Sequence, residues 1–396
     1  MIMKNIIAVL FLALITGACT SGNPASWVIE SPQRDLVSEP VFVEVPAQKF
    51  DEDTICLSSK NGPQPAQVER INSQTARIWW LATQNAGESV RYSVDHSVNC
   101  AESAFAWQTI EPQLDRLFMN GIPVIQYEYP VFDYEDIEHT KKPFHQVFSP
   151  DGSRLITKGT GGLFPHHRGI FLGFYAYIDG SDERVDIWHA RNGERSEHNR
   201  VIRKIEGPVA GGHVLAIDWI DLEGEKFVDE IREVRAFRQP DGQLLIDVRS
   251  ELTALRDKVL LGGDRHHAGL QFRAAQEVAD NREATRFIRP DAWSHMPAEV
   301  ELGDENILDF PWNAMFFEIE DHTYTVAYLS HPSNPTGAEM SERTYGRFGE
   351  YFSQELTRDE TLVMNYRFWV KKGDAPSRTE IQHRFDNYAT PPAIQQ

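Results

Sequence analysis

Short apolar runs, rich in aromatic and β-branched residues and broken repeatedly by Gly, Pro, Asp and Asn, constrain this chain most. Val124-Ile125-Gln126-Tyr127-Glu128-Tyr129, Val214–Trp219, Leu244–Arg249, Met315–Ile319 and Met364–Val370 all have this form. Runs of that length, bounded by turn formers, read as strands. Long helical periodicity is absent, and short helices are expected only near Asp304–Leu308 or Ser341–Tyr345. No repeat of 20–50 residues appears. With 396 residues to place, the chain is expected to be all-β: a small N-terminal β-sandwich followed by a large two-sheet β-supersandwich.

The division expected is a signal peptide over 1–18, a polar tether over 19–40, an Ig-like sandwich over 41–108 and the large domain over 109–390. Alternating strands from Val41 to about Val98, with an Asn61-Gly62 turn, support the small sandwich. Met1-Ile2-Met3-Lys4-Asn5 and the apolar run behind it form a basic n-region and an h-region too short to span a bilayer. Leu14-Ile15-Thr16-Gly17-Ala18-Cys19 resembles a bacterial lipobox. That likeness implies lipidation of Cys19, and Thr20 behind it points to the outer membrane facing the periplasm. Cys56 and Cys100 then remain as an even pair in an exported chain, which suggests a disulfide. Closing that loop contributes roughly 4 kcal/mol in the chain-entropy model.

Lys and Arg total 39 against 59 Asp and Glu, a net charge of −20. Such a surface repels nucleic acid and anionic lipid. Membrane contact is therefore expected only through the N-terminal anchor. An anionic substrate would need a local arginine cluster, screened from the remaining charge within about 8–10 Å.

Clusters of that kind do occur. Phe164-Pro165-His166-His167-Arg168-Gly169 sets two histidines and an arginine before the apolar run Ile170–Tyr177. Asp186-Ile187-Trp188-His189 reads as a strand with Asp186 and Trp188 on one face and His189 on the other. Gly262-Gly263-Asp264-Arg265-His266-His267 opens a turn that leads to Arg273. His331-Pro332-Ser333-Asn334-Pro335, with Arg343 and Tyr345 beyond it, forms a third polar loop. Any one of these histidines alone would be read as a satisfied core residue, and a lone arginine as half of an ion pair. Three His- and Arg-rich loops at strand ends instead suggest one cleft that grips a carboxylate or sulfate and moves protons. No cofactor is expected. A divalent metal on three or four imidazoles is the alternative, although no two histidines have helical or strand ligand spacing. Adjacent His166 and His167 can share a site only within a turn.

The segments FHQVFSPDGSRLITKG, FPHHRGIFLGF, VDIWH, GGDRHHAGLQFR and LSHPSNP with RTYGRFG are similar to the PmoA-like family of exported bacterial proteins. The resemblance covers about 40–385 and implies a large domain like the galactose-mutarotase supersandwich. It also implies action on acidic oligosaccharides during polysaccharide degradation. The expectation that follows is a lyase or dehydratase acting by β-elimination across C4–C5 of a uronic acid. Arg168, Arg273 and Arg343 would neutralise the carboxylate. His167 or His267 would take the C5 proton, and Tyr345 or His189 would protonate the leaving oxygen. His166, His331 and Asn334 complete the set, with Trp188 as sugar platform. The alternatives are a glycosidase using Asp186 and Glu230, and a non-catalytic glycan-binding lipoprotein.

Overall fold

The computed structural model describes residues 25–100, 105–240, 243–264, 267–296 and 307–396. The expected signal peptide, the Cys19 lipidation site and His266 lie outside them. Among the described residues no helix is long and apolar enough to cross a membrane.

The chain is all-β, and every strand pairing in its sheets is antiparallel. The small domain is one seven-stranded sheet around its own core of Trp27, Ile29, Leu57, Ile78, Trp80 and Tyr92. Its boundaries differ from those expected. Ser26–Glu30 and Leu36–Pro46 are strands with Trp27 and Ile29 buried, so residues 26–40 are not tether. Polar composition there conceals an alternation in which only every second side chain faces inward. At the other end, Phe105–Glu111 already pairs with Leu114–Met119 of the large domain. The C-terminal strand Ala393–Gln395 returns to pair with Ser26–Glu30. Cys56 and Cys100 form the expected disulfide, closing a separation of 44 residues.

The large domain packs two layers. The front sheet runs Glu339–Arg343, Arg347–Tyr351, Gly269–Arg273, Ile170–Gly173, Phe144–Val147, Ile122–Glu128, Leu114–Met119 and Phe105–Glu111. Three of its strands resume after a short break as part of a four-stranded extension: Tyr175–Ile178, Lys258–Gly262 and Gln354–Thr357 lie in sequence next to Ile170–Gly173, Gly269–Arg273 and Arg347–Tyr351. The back sheet has eight strands, Arg195–Ile205 through Arg286–Ile288. Between the layers lies one core, including Ile170, Leu172, Leu270, Phe272 and Phe348 from the front and Leu215, Val234, Ile246, Met315 and Phe368 from the back. A buried imidazole pair, His145 Nε2 to His213 Nε2 at 2.7 Å, also bridges the two sheets.

Of the expected helices, one region lies mostly outside the described residues and Glu339–Arg343 is a strand. The long helix is Arg378–Ala389, opened by a capping box in which Ser377 and Glu380 each accept from the other's backbone N–H. Its Ile381 packs with Trp79, Phe237, Leu245 and Trp369 where the domains meet. There Arg235 donates to both oxygens of Glu69 at 2.8 and 3.0 Å, while Trp79 Nε1 reaches the same carboxylate at 2.9 Å.

Candidate active site

Strand register decides where the site can be. Ile170, Leu172, Phe272 and Phe348 point into the core, so their neighbours Phe171, Gln271, Arg273 and Arg347 point out of the front sheet. Arg273 stands directly across the ladder from Arg347. Solvent would normally cover such a face. Here the loops 158–169 and 187–194, with His267 and Ala268, lie over it, and both arginines are almost wholly buried.

The loop over 158–169 is held by backbone bonds. Gly169 N–H donates to Lys158 O at 2.8 Å, and Arg273 N–H donates to Gly169 O at 2.7 Å. Gly169 has φ +44°, and a Cβ there would lie 1.9 Å from His145 O, so only glycine fits. His167 N–H donates to Phe164 O at 3.0 Å, closing the turn that brings His166 and His167 together with ring centroids 4.2 Å apart. This is the turn that adjacent histidines need to share a site. Phe164 and Ala190 both hold left-handed backbone, at φ +52° and +51°, a strain that collects at functional loops.

Asp186 ends a two-residue strand, and Ala190 N–H turns back to its carbonyl at 2.7 Å. The extended reading of Asp186–His189 is thereby corrected. Because the chain turns, Asp186 and His189 face each other, with Nδ1 to Oδ2 at 2.9 Å and His189 N–H to Oδ1 at 2.8 Å. Burial pushes the Asp186 carboxyl up, but these bonds outweigh it and hold it below the usual range. His267 makes the same contact in the third loop, with Nδ1 2.6 Å from Asp264 Oδ1. Ring centroids of His189 lie 4.4 Å from His166 and 4.8 Å from His267. Four of the expected histidines therefore meet, from three separate turns.

Tyr345 and Phe164 roof them. Tyr345 is 5.0 Å from Phe164 between ring centroids and stacks on His167 at 6.2 Å. Phe164 is 41% exposed, while His166 and His167 beneath it are 8% and 3% exposed. Solvent meets the cluster at the Phe164, Tyr345 and His267 rim.

Arg347 is the important residue that sequence reasoning passed over. Its Nε donates to Tyr345 Oη at 3.0 Å, Nη1 to Gln271 Oε1 at 2.9 Å and Nη2 to Ser341 Oγ at 3.0 Å. None of these acceptors carries charge. Arg273 donates through Nη1 to the carbonyls of Tyr345 and Ala274, while its Nε and Nη2 are buried with no partner. Burial, with Arg347 and Arg282 adding repulsion, pushes the Arg273 guanidinium down to about 10. Burial likewise holds the imidazoles of His166 and His167 well below their ordinary range, helped for His167 by the Arg347 charge. Burial takes the Lys158 amine down to about 7 and Lys142 well below its ordinary value. The cluster thus sets two buried guanidiniums beside the neutral imidazoles of His166 and His167, and among the described residues no carboxylate hydrogen-bonds to either arginine.

Several expected members belong elsewhere. Arg168 is 0% exposed, and its guanidinium goes to the carbonyls of Pro165, His139 and Glu138 and to the Glu138 carboxylate, pinning the loop from behind. Trp188 is sealed against Phe144, Phe171 and Tyr175, so it underlies the site and offers no face to a sugar. His331 packs on Tyr388 and lines a separate cleft of about 860 Å³ between the small domain and the C-terminal segment. Asn334 is consumed by Ser330 Oγ and by the backbone of Asn365. Arg343 lies across the ladder from Arg347 and donates to Glu342 O. The Asp186 and Glu230 pair is not assembled: Glu230 lies in the back sheet, held by Trp219, Arg232 and Ser250.

No curated protein matches this chain. Among solved structures, a GH36 α-galactosidase from Geobacillus stearothermophilus is similar over 70% of this chain and 40% of its own, with 10% identity and a TM-score of 0.29. This chain therefore spans less than half the length of that enzyme. Over residues 116–386, which hold every residue of the hollow, the sequence matches a family model described as a family of unknown function, and the chain belongs to that family, DUF6807.

Proposed function

We propose that this protein is a carbohydrate-active carbon–oxygen lyase that removes water or a sugar by β-elimination from a terminal uronic acid of an acidic oligosaccharide. One observation carries the reading: Arg347 and Arg273, hydrogen-bonded to no carboxylate among the described residues, stand beside His167 and Tyr345. A buried guanidinium that meets only neutral acceptors keeps its charge available to an incoming anion.

The chemistry needs such a site. The C5 proton of a uronic acid is weakly acidic, and the enolate that forms on its loss must meet preorganised positive charge. Arg347 and Arg273 supply that charge. His167, neutral and buried with both ring nitrogens unpartnered, accepts the proton from C5. The substrate carboxylate offsets the repulsion that otherwise opposes the imidazolium. The C5–H electron pair becomes the C4=C5 bond while the C4–O bond breaks, and Tyr345 protonates the departing oxygen. Arg347 Nε already donates to Tyr345 Oη, which leaves the phenol proton free to point at substrate. An N-terminal lipid anchor would put this activity in the periplasm, at the outer membrane.

Incubation with a panel of uronic-acid oligosaccharides tests the proposal. Elimination gives far-ultraviolet absorbance from the new double bond and, for a dehydration, the loss of one water in mass. Arg347→Met should lower kcat by about 10²–10³-fold. Gain of one water, or binding across the panel without turnover, refutes the lyase reading.

A further inference from the structure

Three histidines of the same cluster, which the elimination scheme leaves unused, are placed as a metal site would need them. His166, His189 and His267 each present a nitrogen, and the three atoms lie within 4.8 Å of one another. For His189, Nδ1 is held by Asp186 at 2.9 Å, so Nε2 is the nitrogen left to face the cluster. His267 Nδ1 is held by Asp264 at 2.6 Å in the same manner. A carboxylate on the far nitrogen of a histidine fixes its tautomer, orients the ring and raises its basicity, an arrangement that recurs behind metal-ligating imidazoles.

The third histidine supplies an independent sign. His166 is 8% exposed, and its Nε2 is buried with no hydrogen-bond partner. Buried polar atoms are paired in the great majority of proteins, and an unpaired one at a shared focus calls for a ligand. Asp186 and Asp264 stand behind two of the trio and would offset a dication; of the cations around it, Lys142 near His166 is held well below its ordinary value by burial, and Arg347, which also acts on His267, stands with Arg273 on the Tyr345 side. Zn–N bonds of about 2.0–2.1 Å need ligand nitrogens closer together than these, so the rings must draw in on binding. Turns, from which all three come, permit that.

We propose that His166, His189 and His267 bind one divalent first-row transition ion, Zn(II) being the reference case, with Asp186 and Asp264 as the carboxylates that orient two of the ligands. Three imidazoles leave coordination positions for water or a substrate oxygen. Use of the ion in catalysis rests on the lyase reading; its binding does not.

The test needs no substrate. Full-length protein, stripped with chelator and dialysed, is titrated with Zn(II) in competition with a chromophoric chelator, and with Co(II) to read the ligand-field spectrum. One saturable equivalent is expected, together with a higher melting temperature. His267→Ala, at the partly exposed member, should abolish tight binding. Asp186→Asn keeps the side-chain shape and should weaken it about 10–100-fold. Circular dichroism confirms that both variants are folded. Absence of saturable binding to the wild-type chain, or affinity unchanged in both folded variants, overturns the site. Since the readout is binding alone, a metal-binding protein that leaves every uronic acid intact would refute the lyase and keep the metal.

Discussion

Replacing Glu350 by Gln should remove a pH dependence of stability built into the large domain. Glu350 follows the register of Phe348 and faces inward between the sheets, 2% exposed. Ser330 Oγ donates to its Oε2 at 2.9 Å, and Asn334 Nδ2 donates to the same hydroxyl at 3.0 Å. Burial, with Asp309 adding repulsion, pushes its carboxyl from 4.5 up to about 8 against the Ser330 bond. Below the lower value both folded and unfolded chains hold the proton. Between the two values the unfolded chain has lost it while the folded chain retains it, so each rise in pH favours unfolding. Above the higher value the full penalty applies. At 1.36 kcal/mol per unit the span amounts to about 5 kcal/mol of stability lost as pH rises.

Glu350→Gln keeps an acceptor for Ser330 and cannot ionise. Urea unfolding of both chains near pH 5 and near pH 9 isolates the effect, since other titrating groups cancel in the difference. Wild type should lose about 3–5 kcal/mol more than the variant between those two conditions. Equal losses in the two proteins would show that the fold does not raise the Glu350 carboxyl, and the reasoning from its burial between the sheets would fall with it.

Two further substitutions probe what holds the site in place. Arg235→Met strands Glu69 at the domain junction with only the half-exposed Arg203 and Trp79, and should cost about 3–5 kcal/mol in denaturant unfolding. If Glu69→Gln combined with Arg235→Met is as unstable as the single variant, the stranded charge is not the cause. Gly169→Ala puts a methyl against His145 O, and should destabilise by well over ~1 kcal/mol in thermal melts while dispersing the His166 and His167 turn. An unchanged melting temperature would refute the close approach.

The alternation of apolar and polar residues made the sheets legible, because a period of two survives without tertiary context. The expectation of export, with two cysteines left once Cys19 is set aside, made the Cys56–Cys100 pair legible. What sequence could not show is which charged strand residue is buried. Arg343 and Arg347 sit four apart in one RTYGRFG segment, and only the pairing of Arg347 with Arg273, under the distant 158–169 loop, separates a held cation from a half-covered one. Trp188 failed for the converse reason: a turn after Asp186 carried it beneath the site and brought His189 to the carboxylate. The helix at Arg378–Ala389 did announce itself, through Pro376-Ser377 and Glu380, a capping signature easily lost in a chain otherwise read for strands.

The arginines and the histidines of the proposed site are placed by two kinds of structure, and the division has a physical reason. A guanidinium must be held still to act as a preorganised charge, and Arg273 and Arg347 sit on adjacent strands whose ladder and inward-facing neighbours lock them. Proton carriers and metal ligands must instead adjust by fractions of an ångström as protons and ligands come and go. His166, His189 and His267 come from turns, each tied by a few backbone or carboxylate bonds. Keeping cations on strands and imidazoles on turns lets the second set move without releasing the first. A site built the other way round would lose its field whenever its histidines shifted.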